Sequence, residues 1–143
     1  MSRSGYTDDC EDQWALIRWR GAVNSAIKGK RGQAFLKETL AALEAMPVKE
    51  VIGESLVADG QFCTLGVVGA ARGMNIADID PEDRAGVAGA FKISEAMAAE
   101  IMYENDEVRR TLVGPVRLDA IRWHHMRQWI ASQILPAKIG GTT

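Results

Sequence analysis

The chain has 143 residues, 47 % apolar and 25 % charged, the proportions of a globular protein with room for one core. Lys and Arg number 17 against 19 Asp and Glu, a net charge of −2, which excludes a uniformly basic nucleic-acid binder but allows a local basic face. No apolar run approaches the roughly 20 residues that cross a bilayer.

Residues 1–12 read as an acidic, flexible lead-in, with Asp8, Asp9, Glu11 and Asp12 placed to favour the positive end of a following helix. They hold no apolar stretch of a secretory signal, so a reducing cytosol is expected, with Cys10 and Cys63 as free thiols. The acids around Cys10 dull it as a nucleophile, and Cys63, in an apolar run, reads as a small core residue. A helix is predicted over 13–28, because Leu16, Trp19, Val23, Ala26 and Ile27 recur at spacings of three and four. Gly21 inside it costs roughly 1 kcal/mol against Ala, and its expected use is close packing on another helix. Residues 29–32 break the pattern. A second helix over 33–46 carries Phe35, Leu36, Leu40, Leu43 and Met46, stops at Pro47, and is expected to pack on the first as an antiparallel neighbour.

Asp59-Gly60 between short apolar runs predicts a hairpin. A short helix over 64–72 follows, stopped by Gly73. Asp80-Pro81 predicts the start of a helix that runs to Phe91. Ser94 caps another over 95–104, and a loop through Gly114-Pro115 leads to a last helix over 118–134. The expected fold is therefore mainly α, five to six helices with at most one small hairpin near 54–63. It forms a single domain over 13–135, with a flexible tail at 136–143. The expected core includes Leu16, Trp19, Val23, Leu36, Leu40, Leu43, Ile101 and Ile130.

Chemistry-bearing motifs are scarce. The fragment Gly29-Lys30-Arg31 lacks the hydroxyl of a phosphate-cradling loop, and the glycine run 66–73 misses the dinucleotide spacing, reading instead as close helix packing plus a cap. His124 and His125 are adjacent, so on a helix they point about 100° apart and cannot share a metal. No Ser or Cys stands in a nucleophile motif, and the acidic runs 8–12 and 104–107 read as solvated faces. No catalytic residue, metal or cofactor is expected, and the chain reads as non-enzymatic.

Three stretches are more informative. Residues 18–32 carry Arg18, Arg20, Lys28, Lys30 and Arg31 with no acid among them. Arg20, Asn24 and Lys28 share one helix face, which Lys30 and Arg31 extend into the turn. These five residues are the candidate surface for an acidic protein or, alternatively, for nucleic acid. The competing reading is a solvated face paired with Glu38 or the acidic lead-in. Residues 87–101 have helix-turn-helix spacing, with Lys92 where Gly is usual in the turn. The second helix offers Glu95, Glu100 and Glu104 and no cation, which DNA would repel. The last helix carries Arg117, Arg122 and Arg127 with Trp123 and Trp129, residue types that anchor interfaces but also fill cores.

The segment 12–23 (Asp-Gln-Trp-Ala-Leu-Ile-Arg-Trp-Arg-Gly-Ala-Val), with 25–36, 101–107 and the pieces from Arg122-Trp123 to Gln128-Trp129-Ile130, resembles a group of small proteins of phages and prophages of proteobacteria. No activity is known for that group, so the resemblance carries no site residues. It implies context: an accessory phage product in a bacterial cytoplasm. The expected function is binding of a host or phage protein complex, including inhibition of a defence complex, with nucleic-acid binding as the alternative.

Overall fold

The computed structural model describes residue 3, residues 13–107 and residues 118–136. The expectations for residues 4–12, Cys10, the loop at 114–115, Arg117 and most of the tail lie outside these. Among the described residues the fold is α-rich, with six α-helices and one small antiparallel sheet. In order they are α1 (Gln13–Lys28), α2 (Lys30–Glu44), β1 (Val57–Ala58), β2 (Gln61–Phe62), α3 (Thr64–Ala71), a 3-10 turn (Ile76–Asp78), α4 (Arg84–Phe91), α5 (Glu95–Asp106) and α6 (Leu118–Gln133).

The centre is α5. It packs against α1, α3, α4 and α6. Of its 12 residues, 8 are buried, among them Ala96, Ala98 and Ala99, whose small side chains let four neighbours approach at once. Met97, Ile101 and Met102 fill the space between. Ser94 starts this helix by accepting the amide of Met97 at 3.1 Å. On the other side, α2 packs on α3 and α6, burying Phe35, Leu36 and Leu43.

The hairpin turns as predicted. Asp59 and Gly60 sit at φ 52° and 76°, the pair of positive values a two-residue turn of this hand requires. Val57 then faces Phe62, and Ala58 faces Gln61. Cys63 is buried and caps α3, its Sγ accepting from the amide of Gly66 at 3.4 Å. A Cβ on Gly66 would lie 2.0 Å from the Leu56 carbonyl oxygen, and one on Gly69 would lie 2.4 Å from Ile76, so the glycine run serves close packing.

Side chains fasten this middle segment to the helices. Asn105 accepts from the Thr64 amide at 3.1 Å and hydroxyl at 2.8 Å, and donates to the Ile52 carbonyl at 2.9 Å. Buried Arg122 donates to the carbonyls of Asn105 at 2.7 Å and Val51 at 3.2 Å. Arg3 is buried too, with both Nε and Nη2 donating to Asp106, at 2.6 and 2.9 Å.

Five expectations are corrected. Leu16 is 44 % exposed, because the buried side of α1 begins only at Trp19 and continues through Val23 and Ile27. Trp19 and Leu40 are half-buried rather than core-centred. Gly21 faces open space, and the close-contact glycine is Gly32, where a Cβ would lie 1.9 Å from the Ala26 carbonyl oxygen. The break between α1 and α2 is accordingly one residue, Gly29, held extended at φ −70° and ψ 163°. Finally, Asp83 and not Asp80 caps α4, accepting from the Gly86 amide at 3.1 Å. Asp80 instead accepts from the Glu82 amide at 2.9 Å, closing a turn ahead of the helix.

Candidate functional site

Two turns meet on one side of the molecule. The first is the corner at Gly29, where α2 opens with Lys30 and Arg31. The second is the α4–α5 connection, where Lys92 ends α4 in the left-handed conformation at φ 60° and ψ 43°. Between them runs an open groove of about 670 Å³, and a smaller one of about 270 Å³ shares Arg31 and Ile93 with its lining. Cavities of this size suit a peptide segment or a small ligand.

The floor is apolar. Phe35 and Phe91 meet edge to face at 6.3 Å, beside Ala34, Ala88 and Ile93. Arg72 covers both rings, its guanidinium 5.4 Å from the Phe35 centroid and 5.9 Å from that of Phe91. It is locked there by two 2.7 Å hydrogen bonds to Glu38 and one of 3.3 Å to the Phe91 carbonyl. The hydrogen bonds from Arg72 hold the Glu38 carboxyl below the ordinary glutamate range, and Glu38 in turn raises Arg72.

The rim is cationic. Arg31 and Lys92 edge the larger groove, and Lys30 edges the smaller. Six other arginines are each paired to a carboxylate: Arg3 to Asp106, Arg20 to Glu100, Arg72 to Glu38, Arg84 to Glu95, Arg122 to Asp119 and Arg127 to Glu44. Among the described residues, no carboxylate pairs with Lys30, Arg31 or Lys92.

The five residues predicted for the surface therefore divide. Lys30 and Arg31 stand at the groove. Asn24 and Lys28 are exposed along α1. Arg20 is exposed as well, but its guanidinium holds the buried Glu100 at 2.8 and 3.4 Å, so it serves the fold. Glu38 pairs with Arg72 and not with the α1 face. Sequence reasoning missed Arg72 and Lys92 as site residues; the signal for Lys92 was a lysine in a turn position that favours Gly.

The helix-turn-helix spacing does produce two helices with a three-residue turn, α4 and α5. The would-be reading helix, however, is the buried centre of the protein and has no face to offer DNA. His125 meets Glu104 at 2.8 Å, while His124 is exposed. Among the described residues no group of three His, Cys, Asp or Glu is placed to hold a metal ion, and no helix is long and apolar enough to cross a membrane. No protein-family model, curated protein or solved structure matches this chain.

Proposed function

We propose that this is a non-enzymatic binding protein whose groove between the α1–α2 corner and the α4–α5 turn takes an acidic, partly apolar segment of a partner protein. The observation that carries this reading is the contrast in charge pairing. Lys30, Arg31 and Lys92 lack carboxylate partners among the described residues and converge over an apolar floor, while the arginines that serve the fold are paired. Carboxylates of a partner would supply what these cations lack, and its apolar side chains would lie against Ala34, the exposed apolar side chain of the lining.

A protein partner is favoured over nucleic acid by the same floor. Phe35 and Phe91 are 3 % and 1 % exposed, so neither ring is open for stacking by a base. The resemblance to phage and prophage proteins supports a bacterial cytoplasm as the setting, and a host or phage protein complex, including a defence system, as the partner.

The test is capture of partners from bacterial lysate, with and without nuclease, by the native chain and by a Lys30→Glu/Arg31→Glu/Lys92→Glu variant. A protein that survives nuclease and is lost with the variant is the expected result. A partner lost to nuclease supports the nucleic-acid alternative. Equal capture by both chains removes the groove.

A further inference from the structure

The outward side of α1 is apolar where the fold gains nothing from it. Trp14 is 72 % and Ile17 52 % exposed. Arg18, Gly21, Ala22 and Ser25 continue that side at spacings of three and four, all exposed. Gly21 has nothing within 4 Å of the place a Cβ would take. The inner side of the helix is already complete through Val23, Ile27 and the Arg20–Glu100 pair. An open tryptophan beside an isoleucine and an arginine has the composition of an interface anchor.

Charge identifies the occupant. From residue 13 to residue 37 the chain holds no acid, and among the described residues Arg18 and Lys28 have no carboxylate partner. A second copy would set like charges against these.

We propose that the outward face of α1 docks an acidic amphipathic helix of a partner protein. Trp14 and Ile17 are its apolar anchors, and Gly21-Ala22 is the low point where the two backbones approach. Arg18 and Lys28 meet its carboxylates. This surface is separate from the groove and stands without it.

The test uses a synthetic peptide of about 18 residues, the length that matches α1, with leucines at helical spacing flanked by glutamates. A second peptide with lysine for glutamate is the control. Binding is followed by calorimetry and by amide shifts on α1. The acidic peptide is expected to bind, and the lysine peptide is not. Trp14→Ala/Ile17→Ala and Arg18→Glu should each weaken binding about tenfold or more, the scale of an interface anchor. Gly21→Leu, which enters open space and raises helix propensity, should fold at least as well as the native chain and still block the peptide. The Lys30→Glu/Arg31→Glu/Lys92→Glu variant should bind as the native chain does, which separates this surface from the groove. The proposal is overturned if the acidic peptide does not bind, or binds the Trp14→Ala/Ile17→Ala variant equally well. Loss only in the groove variant overturns it too. So does a dimer, or binding to phosphatidylglycerol vesicles, that the Trp14→Ala/Ile17→Ala change abolishes.

Discussion

Arg20 and Arg31 carry the same charge and do opposite things. Arg20 neutralises Glu100, which is 4 % exposed, whereas Arg31 edges the groove with no carboxylate partner among the described residues. Removing Arg20 takes a charged hydrogen-bond partner from a buried carboxylate, so Arg20→Ala should lower stability by about 1–3 kcal/mol. Arg31→Ala should stay within about 0.5 kcal/mol. Urea unfolding of the two variants measures both; equal losses would mean that the Glu100 pair is not what distinguishes them. The sequence could not show this division, because Glu100 lies 80 residues from Arg20 and nothing local links them. Glu38 adds a pH dependence. Its folded carboxyl titrates below the ordinary glutamate range because Arg72 donates to it. Its contribution is therefore fully present above the unfolded value and is lost as pH falls through the folded one. Glu38→Gln should flatten the acid side of the stability profile. An NMR titration that puts Glu38 at an ordinary glutamate value would contradict the lock on Arg72.

At the scale of the element, caps and periodicity were legible and reach was not. The bounds of α1, the Ser94 cap and the Asp59-Gly60 turn follow from local rules, and each is present. The stripe on α1 told which side is apolar. It did not tell where along that side the neighbouring helix begins, which is why Leu16 lies open and Gly32, not Gly21, makes the close contact. The expected cap at Asp80 fell three residues early, because the amide of Gly86 donates to Asp83 and the helix opens there. The α4–α5 turn yields a prediction of its own. Lys92 holds a left-handed backbone that glycine adopts without steric cost. Lys92→Gly should therefore raise stability by up to about 1 kcal/mol in thermal unfolding while removing one cation from the groove. A destabilised Lys92→Gly protein would show that the lysine side chain supports the turn.

Over the whole molecule, the arrangement around α5 decides which sequence features reach one another. Half of the groove's rim, Lys30 and Arg31, was legible as a basic run. The other half, Lys92 and the Arg72–Glu38 lock, arrives from α2, α3 and α4, and only their packing on a shared core brings them together. The buried polar ties of Asn105 and Arg122 were equally invisible, since both read as surface residues until the hairpin segment is folded onto them. Salt separates the two classes of partner. Affinity for an acidic protein segment should weaken mildly with salt, chiefly through the on-rate. Affinity for a phosphate backbone should fall by decades between low and physiological salt. In either case the Lys30→Glu/Arg31→Glu/Lys92→Glu variant should flatten the slope, and an unchanged slope would place the charged contacts elsewhere.

The single extended residue between α1 and α2 makes the corner a latch. Rotating ψ of Gly29 from 163° to about −42° would fuse the two helices into one rod of about 32 residues, about 48 Å long. The swung-out α1 would then seat Val23, Ile27 and Arg20 on the α5 of another molecule, exchanging identical contacts between copies. A Cβ at position 29 would stand 3.3 Å from the Ser25 carbonyl oxygen, tighter than an ordinary contact, so alanine there presses on the corner, while φ −70° suits either conformation. It also gains roughly 1 kcal/mol of helix propensity over glycine. Gly29→Ala should therefore populate an arm-exchanged dimer that the native chain does not, seen by sedimentation as a second species growing with concentration. A variant no more dimeric than the native chain would show that the corner is held by the Gly32–Ala26 contact and not by glycine's freedom at position 29.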